Sequence, residues 1–320
     1  MRKKRLLIIG CGDIVQRALP WLQRRFKVYA TARTADKALA LNTLGVYPIR
    51  ADLDQPRTLR RLAGLANYWL HSAPPAEAAG EPRTQHLLAA LLRPRQGRSA
   101  PRTTNRQLGI LTHSPRRAVY ISTSGVYGDH QGRWLTESSR QLARTTRARR
   151  RQWAEQSWRA AARRQGRAGR PLRVSLLRAP GIYALDRLPT ARLARGEPGI
   201  VASEDSLSNH IHAADLAQAM VLALFRGRPL RSYNIVDDAP HTMGEWFDQV
   251  ADFTGLPRVA RISRAEAQTQ LSPTMLSYLN ESRQLSNQRA KRELRWRLRY
   301  PSTADFFAAH TGEYVATRKY

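Results

Sequence analysis

Acidic residues are scarce in this 320-residue chain: 24 Asp and Glu stand against 54 Lys and Arg, a formal charge of +30. Such an imbalance requires either tolerance of self-repulsion or anionic company. Lysine is scarce as well, at 6 against 48 Arg, so the positive charge is almost wholly guanidinium. The single cysteine, Cys11, excludes an intrachain disulfide framework and Cys-rich zinc modules, and it suits a reducing compartment. No apolar run approaches the roughly 18 residues of a membrane span, so no membrane partner is expected. The basic Met1–Arg5 and apolar Leu6–Ile9 have the order of a signal peptide, but Asp13 cuts in directly after the turn. A buried first strand behind a basic cap, in a cytoplasmic protein, is the expectation. Hydrophobic residues at 42% suffice for a folded core.

What is present is an alternation. Leu6–Ile9 reads as a strand, Gly10-Cys11-Gly12 as a turn, and Asp13 onward as a helix. Strand Lys27–Arg33 and helix Thr34–Leu44 follow, then Val46–Ile49, Ala51-Asp52-Leu53-Asp54 and a helix over Gln55–Ala63. Strand Tyr68–Leu70 runs into His71-Ser72-Ala73-Pro74-Pro75, with an amphipathic helix over Arg83–Leu92. Arg93–Arg106 is rich in Arg, Pro, Ser and Thr and reads as an exposed loop. Strand Ala118–Ile121, a basic helix over Ala143–Arg164 and strand Leu172–Leu177 complete the pattern. It predicts an α/β protein with a doubly wound parallel sheet, the NAD(P)-binding Rossmann fold. After about residue 180 the rhythm changes. Residues 1–180 are expected to form the dinucleotide domain and 181–320 a small C-terminal substrate lobe, with 205–236 returning to the core sheet.

Glycines placed between a first strand and a helix let the backbone turn tightly and approach a pyrophosphate, whose charge the helix N-terminus favours. Gly10, Gly12, Asp13 and Ile14 are the residues of that turn. The third fingerprint position is Val15, whose branched side chain forces repacking, and Pro20 removes one helical hydrogen bond and is expected to kink the helix. At the end of the second strand stands Arg33 where an acidic residue would select NAD, so NADP is preferred, with NAD as the alternative.

Ile9–Gly12, Ala51–Leu53, His71–Pro74, Tyr120–Gly128, Leu177–Tyr183, Asn209–Asp215 and Tyr233–Val236 together resemble the extended short-chain dehydrogenase/reductases. Within these the resemblance is to the NAD-dependent epimerase/dehydratase family, its atypical branch above all, over about residues 6–260. The resemblance implies that Asp52 and Leu53 flank the adenine and that Ser72, Ala73 and Pro74 line ribose and phosphates. It places Thr123 at the catalytic Ser/Thr position, with Ser124 as fallback, and puts Tyr127, Asn209 and His212 on the substrate side. It also implies a small, anionic, nucleotide-sugar-like substrate and a homodimer.

One departure matters. The family's Tyr and, four residues later, Lys share a helix face and relay the proton. Arg147 and Arg151 fall at those positions, and no Tyr lies between Tyr127 and Tyr183. Arg151 can still donate to ribose hydroxyls and Arg147 can hold an anion, but guanidinium does not release its proton near neutral pH. Two readings stay open: an enzyme with a rearranged proton path, or a dinucleotide-binding sensor without turnover.

Thr123 and Ser124 also read as a strand end satisfying its own backbone. His210 and His212 share a strand face without further metal ligands nearby, so no metal site is expected. Asp215 reads as a helix N-cap as readily as a site residue. Arg140–Arg170 holds eleven Arg and one acid, Glu155, with Trp153 and Trp158 interleaved. Nucleic-acid binding is the third reading, disfavoured because the Arg are spread along the chain and the tryptophans suit a core.

Overall fold

Four consecutive apolar residues with no polar alternation need cover on both faces, which is the environment of a central parallel strand. In the computed structural model, which describes residues 3–78, 80–93 and 116–317, strand β1 (Lys4–Ile9) buries Leu6 to Ile9 completely. Helix α1 (Asp13–Arg25) turns Val15, Ala18, Leu19 and Leu22 inward at helical spacing. Val15 is absorbed into the core. The helix also continues through Pro20, which lies exposed and removes one helical hydrogen bond without ending the helix.

Strand β2 (Phe26–Ala32), helix α2 (Ala35–Thr43) and strand β3 (Tyr47–Arg50) follow. The segment expected as a helix from Gln55 is a 3-10 turn over Pro56–Leu62. Then come strand β4 (Tyr68–His71), helix α3 (Pro82–Leu92), strand β5 (Arg116–Thr123) and the long helix α4 (Thr146–Arg167). The loop expected over Arg93–Arg106 falls, from residue 94 on, outside the described residues. A seven-stranded sheet runs in the order Arg231–Asn234, Leu172–Ala179, β5, β4, β1, β2, β3. The pairs β5–β4, β4–β1, β1–β2 and β2–β3 are all parallel, as the strand–helix alternation requires.

By packing, the chain forms two compact units, each drawn from several stretches. The first takes Met1–Ser122, Arg150–Leu176 and Met220–Arg231, and the second takes Thr123–Arg149, Leu177–Ala219 and Ser232–Tyr320. The core of the first unit joins Leu7, Ile9 and Trp69 to Leu87, Tyr120, Trp158 and Val174. Trp158 is fully buried, its ring 6.4 Å from that of Trp69, while Trp153 is half-buried, so one of the two interleaved tryptophans is core.

The second unit is held by Tyr183, Trp246, Phe247, Val250, Tyr300 and Phe306. Its helix Met243–Thr254 starts on a capping box in which Thr242 and Glu245 satisfy each other's backbone N–H. Short strands Arg261–Ile262 and Gln284–Leu285 leave to pair in parallel with Gly199–Ile200 and Trp134–Leu135, between short helices.

Asp237 is buried in the second unit, 3% exposed, its amide donating to the His210 carbonyl at 2.8 Å. Burial pushes its carboxyl up to about 8; the Ala239 N–H opposes this, and the Asp238 and Asp215 charges add to it. The folded state therefore keeps a proton that the unfolded chain releases near pH 4, and the stabilisation is lost as pH rises toward 8. Asp237→Asn is expected to flatten that dependence. Between pH 5 and 9, melting temperature should fall less in the variant than in the wild type.

Candidate functional site

In the first unit the glycine turn is built against the end of β4. Gly10 has φ +85°, and a Cβ placed on it would stand 2.5 Å from the Ala73 nitrogen, so neither the conformation nor the space admits a side chain. The amides of Ser72 and Ala73 both donate to the Ile9 carbonyl at 2.9 and 3.0 Å. The Ser72 hydroxyl donates to the Gly10 carbonyl, and the Gly10 amide donates to Thr31 Oγ1 at 3.4 Å. Gly12 differs. It is exposed, and a Cβ there would meet nothing within 4 Å. As N-cap of α1 it offers no side-chain acceptor, which leaves the first helical N–H groups to an external anion. Asp13 and Ile14 open the helix half-buried, Asp13 bonding Arg17 Nε at 2.8 Å.

Arg33 follows β2 and is exposed; its charge helps hold the Asp54 carboxyl below its usual range, after the direct hydrogen bond from Arg83. Asp52 accepts the Asp54 amide at 3.0 Å, and Leu53 gives its carbonyl to His86 Nδ1 at 3.3 Å. Pro74 is exposed, its carbonyl accepting from Arg83 at 3.3 Å. Arg151, expected from the motifs at the family's Lys position, sends Nη1 to the Ile121 carbonyl (2.7 Å) and the Tyr120 hydroxyl (3.2 Å), which ties it to β5.

Two buried polar pairs in this unit escaped the sequence reading. Ser122 Oγ donates to Glu155 Oε1 at 2.7 Å, and Trp158 Nε1 donates to His71 Nδ1 at 3.2 Å. Glu155 was signalled by being the one acid among eleven arginines. Burial, with the Arg151 charge adding, drives the His71 imidazole down to about 3, so it is neutral.

In the second unit Thr123 is half-buried and caps the 3-10 turn Ser124–Tyr127, its Oγ1 accepting the Gly125 amide at 3.2 Å. The hydroxyl still has a proton to donate. Ser124 is buried. Arg147 is exposed on the first turn of α4, its guanidinium 4.0 Å from the Tyr278 ring centre.

The three residues expected on the substrate side turn inward. Tyr127 is fully buried, donating to Asn234 Oδ1 at 2.7 Å and accepting from Arg178 Nη1 at 2.8 Å. Asn209 spends both ends of its carboxamide on backbone, from Nδ2 to the Arg283 carbonyl and from the Leu285 amide to Oδ1, each at 2.9 Å. His212 accepts the Ala214 amide and packs among Tyr183, Tyr300 and Phe306. Asp215 caps no end of its own helix; its two oxygens accept the Arg299 and Tyr300 amides at 2.7 and 3.1 Å. Buried polar groups must be satisfied, and these side chains are what satisfies the segments around residues 234, 285 and 300. Among the described residues no cluster of His, Cys, Asp and Glu could hold a metal. No helix there is long and apolar enough to cross a membrane.

Tyr127→Phe leaves Asn234 Oδ1 and Arg178 each short of a buried partner. Denaturant unfolding should show a loss of about 1–3 kcal/mol.

No curated protein matches the sequence. The NAD dependent epimerase/dehydratase family matches residues 98–236. Among solved structures, a functionally unknown conserved protein from Silicibacter pomeroyi is 24% identical with TM-score 0.71, covering 99% of this chain and 100% of its own. A UDP-glucose 4-epimerase from Thermotoga maritima, solved with UDP-glucose, is 17% identical with TM-score 0.70, over 98% and 99%. MoeE5, in complex with UDP-glucuronic acid and NAD, is 22% identical with TM-score 0.68, over 98% and 99%. At these identities the likeness to solved structures is one of fold. The family match over residues 98–236 and the likeness of fold agree with the resemblance carried by the motifs.

Proposed function

We propose that this chain binds a nicotinamide dinucleotide, NADP(H) before NAD(H), and acts as an oxidoreductase or epimerase on a small, anionic, nucleotide-sugar-like substrate. The observation that carries the reading is the division of labour between the two glycines: Gly10 packed against Ala73, Gly12 open beneath an uncapped helix N-terminus. Asp13 and Ile14 open that helix, and Arg33 is free to meet a 2′-phosphate. Asp52, Leu53 and Pro74 remain the candidates for the adenine and ribose side. Ser72 and Ala73 act by holding the turn. The bound dinucleotide supplies a hydride acceptor and donor. Thr123 holds a proton at Oγ1 that it can donate to a substrate oxygen, and Ser124 stays secondary because it is buried. A cytoplasmic homodimer is the setting proposed for this activity.

A second reading, a dinucleotide-binding sensor without turnover, has its own support: Arg151 is committed to β5 and Arg147 is stacked on Tyr278, so neither supplies a phenol's proton. Turnover across a panel of sugar nucleotides and aldehydes separates the two. Loss of turnover in Thr123→Ala supports the enzyme, and dinucleotide binding without any turnover supports the sensor.

Calorimetry should show tighter binding of NADPH than NADH, and Arg33→Ala should weaken NADPH by about tenfold while leaving NADH unchanged. Absence of binding by either dinucleotide at millimolar concentration sinks both readings. Gly12→Val should keep the melting temperature of the wild type yet abolish dinucleotide binding. Gly10→Ala should lower the melting temperature outright, since its side chain collides with backbone.

A further inference from the structure

Arg147 occupies the position from which the family's relay phenol is missing, and it is not a loose surface arginine. Its guanidinium carbon lies over the Tyr278 ring, 4.0 Å from its centre, a ring contributed from 131 positions further along the chain. Beyond that stack, neither the Arg147 guanidinium nor the Tyr278 hydroxyl has a hydrogen bond or ion pair among the described residues. The helix that carries the ring is braced. Helix Pro273–Leu279 starts on the Ser272 cap and ends on the buried Leu279, whose carbonyl receives the Ser206 hydroxyl and, at 3.1 Å, Arg264 Nη1. Arg264 Nη1 also reaches Asn280 Oδ1 at 3.0 Å, and its Nε reaches the Glu204 carbonyl at 2.6 Å.

Stacking consumes the face of a guanidinium and leaves its in-plane N–H groups, the edge that matches a carboxylate or phosphate bidentately. Tyr278, 48% exposed, carries a hydroxyl donor on the same pair. The first turn of α4 holds no acidic residue, so its helix dipole also favours an anion. Next to Arg147, Ala148 lies under the turn that Thr123 caps: a Cβ on Gly125 would be 3.8 Å from the Ala148 Cβ and 3.5 Å from Thr123 Oγ1.

We propose that Arg147 and Tyr278 form an oxyanion clamp for the substrate, the guanidinium edge taking a carboxylate or phosphate while Tyr278 splints the guanidinium and donates its hydroxyl. The clamp rests on the reading that the substrate is an anionic, nucleotide-sugar-like molecule. It replaces a neutral proton-relay position by a charge-recognition position.

The test is calorimetric titration of the full chain with UDP, UDP-glucose, UDP-glucuronic acid and inorganic pyrophosphate. Arg147→Gln should weaken at least one of the four by about tenfold or more. Arg147→Lys should not restore it, because a point charge has neither the planar edge nor the stack. Tyr278→Ala should weaken binding more than Tyr278→Phe, which keeps the ring. A loss confined to UDP-glucuronic acid assigns the clamp to a sugar carboxylate, and a loss shared by UDP and pyrophosphate assigns it to the diphosphate. Equal affinities for all four ligands in wild type and Arg147→Gln, full rescue by Lys, or no binding of any of the four by wild type overturns the clamp. NADPH titration of the same variants separates the readings. It should be unchanged in every variant, whereas failure of the wild type to bind any dinucleotide defeats the proposed function while the pyrophosphate arm still reads the clamp.

Discussion

The junction of β1 with α1 is the constraint from which the first unit is organised. The last carbonyl of β1, on Ile9, takes two amides from the end of β4, and the Gly10 amide is taken by Thr31 of β2. Three neighbouring strand ends are thereby fixed at one point, and a side chain at Gly10 would force them apart. The same knot decides which residues remain for a ligand. Ser72 and Ala73 spend their amides on β1, and Gly12, one residue past the buried Cys11, is left bare.

Scarcity of acid shapes the rest. Several of the chain's few carboxylates are placed inside rather than against surface arginines. Glu155 answers Ser122, Glu137 accepts the Asn234 amide and faces Arg289, and Asp215 holds the Arg299–Tyr300 backbone. Buried acceptors of this kind are worth more to the fold than exposed pairs, whose median contribution is about 0–1 kcal/mol. The consequence is a surface whose guanidinium groups outnumber their counter-charges, so ionic strength acts on this protein mainly by relieving repulsion.

The order of strands and helices was legible because buried parallel strands are continuous apolar runs and the glycine turn sits where one of them meets a helix. Residue positions within the motifs were legible too, for Thr123 does cap the turn after β5 and His210 and His212 do share a face, both meeting Tyr183. Side-chain direction was not. Tyr127, Asn209 and His212 point inward because their partners, Asn234 and Arg178, Leu285 and Arg283, Tyr300 and Phe306, arrive from distant segments that spacing alone does not bring together. Tyr278 was invisible for the same reason: its only link to Arg147 is through space. The short pairings of the C-terminal stretch escaped notice because strands of two residues leave no periodicity to detect.

The hydrogen bond from Trp158 to His71 settles a detail of the imidazole itself. An indole N–H can only donate, so Nδ1 of the neutral ring must be the lone-pair nitrogen and the proton must sit on Nε2. With its ionisation pushed far below physiological pH, the ring keeps that one tautomer in the working range. The end of β4 thus carries a permanent, oriented dipole instead of a titrating charge, and cellular acidification leaves it unaltered.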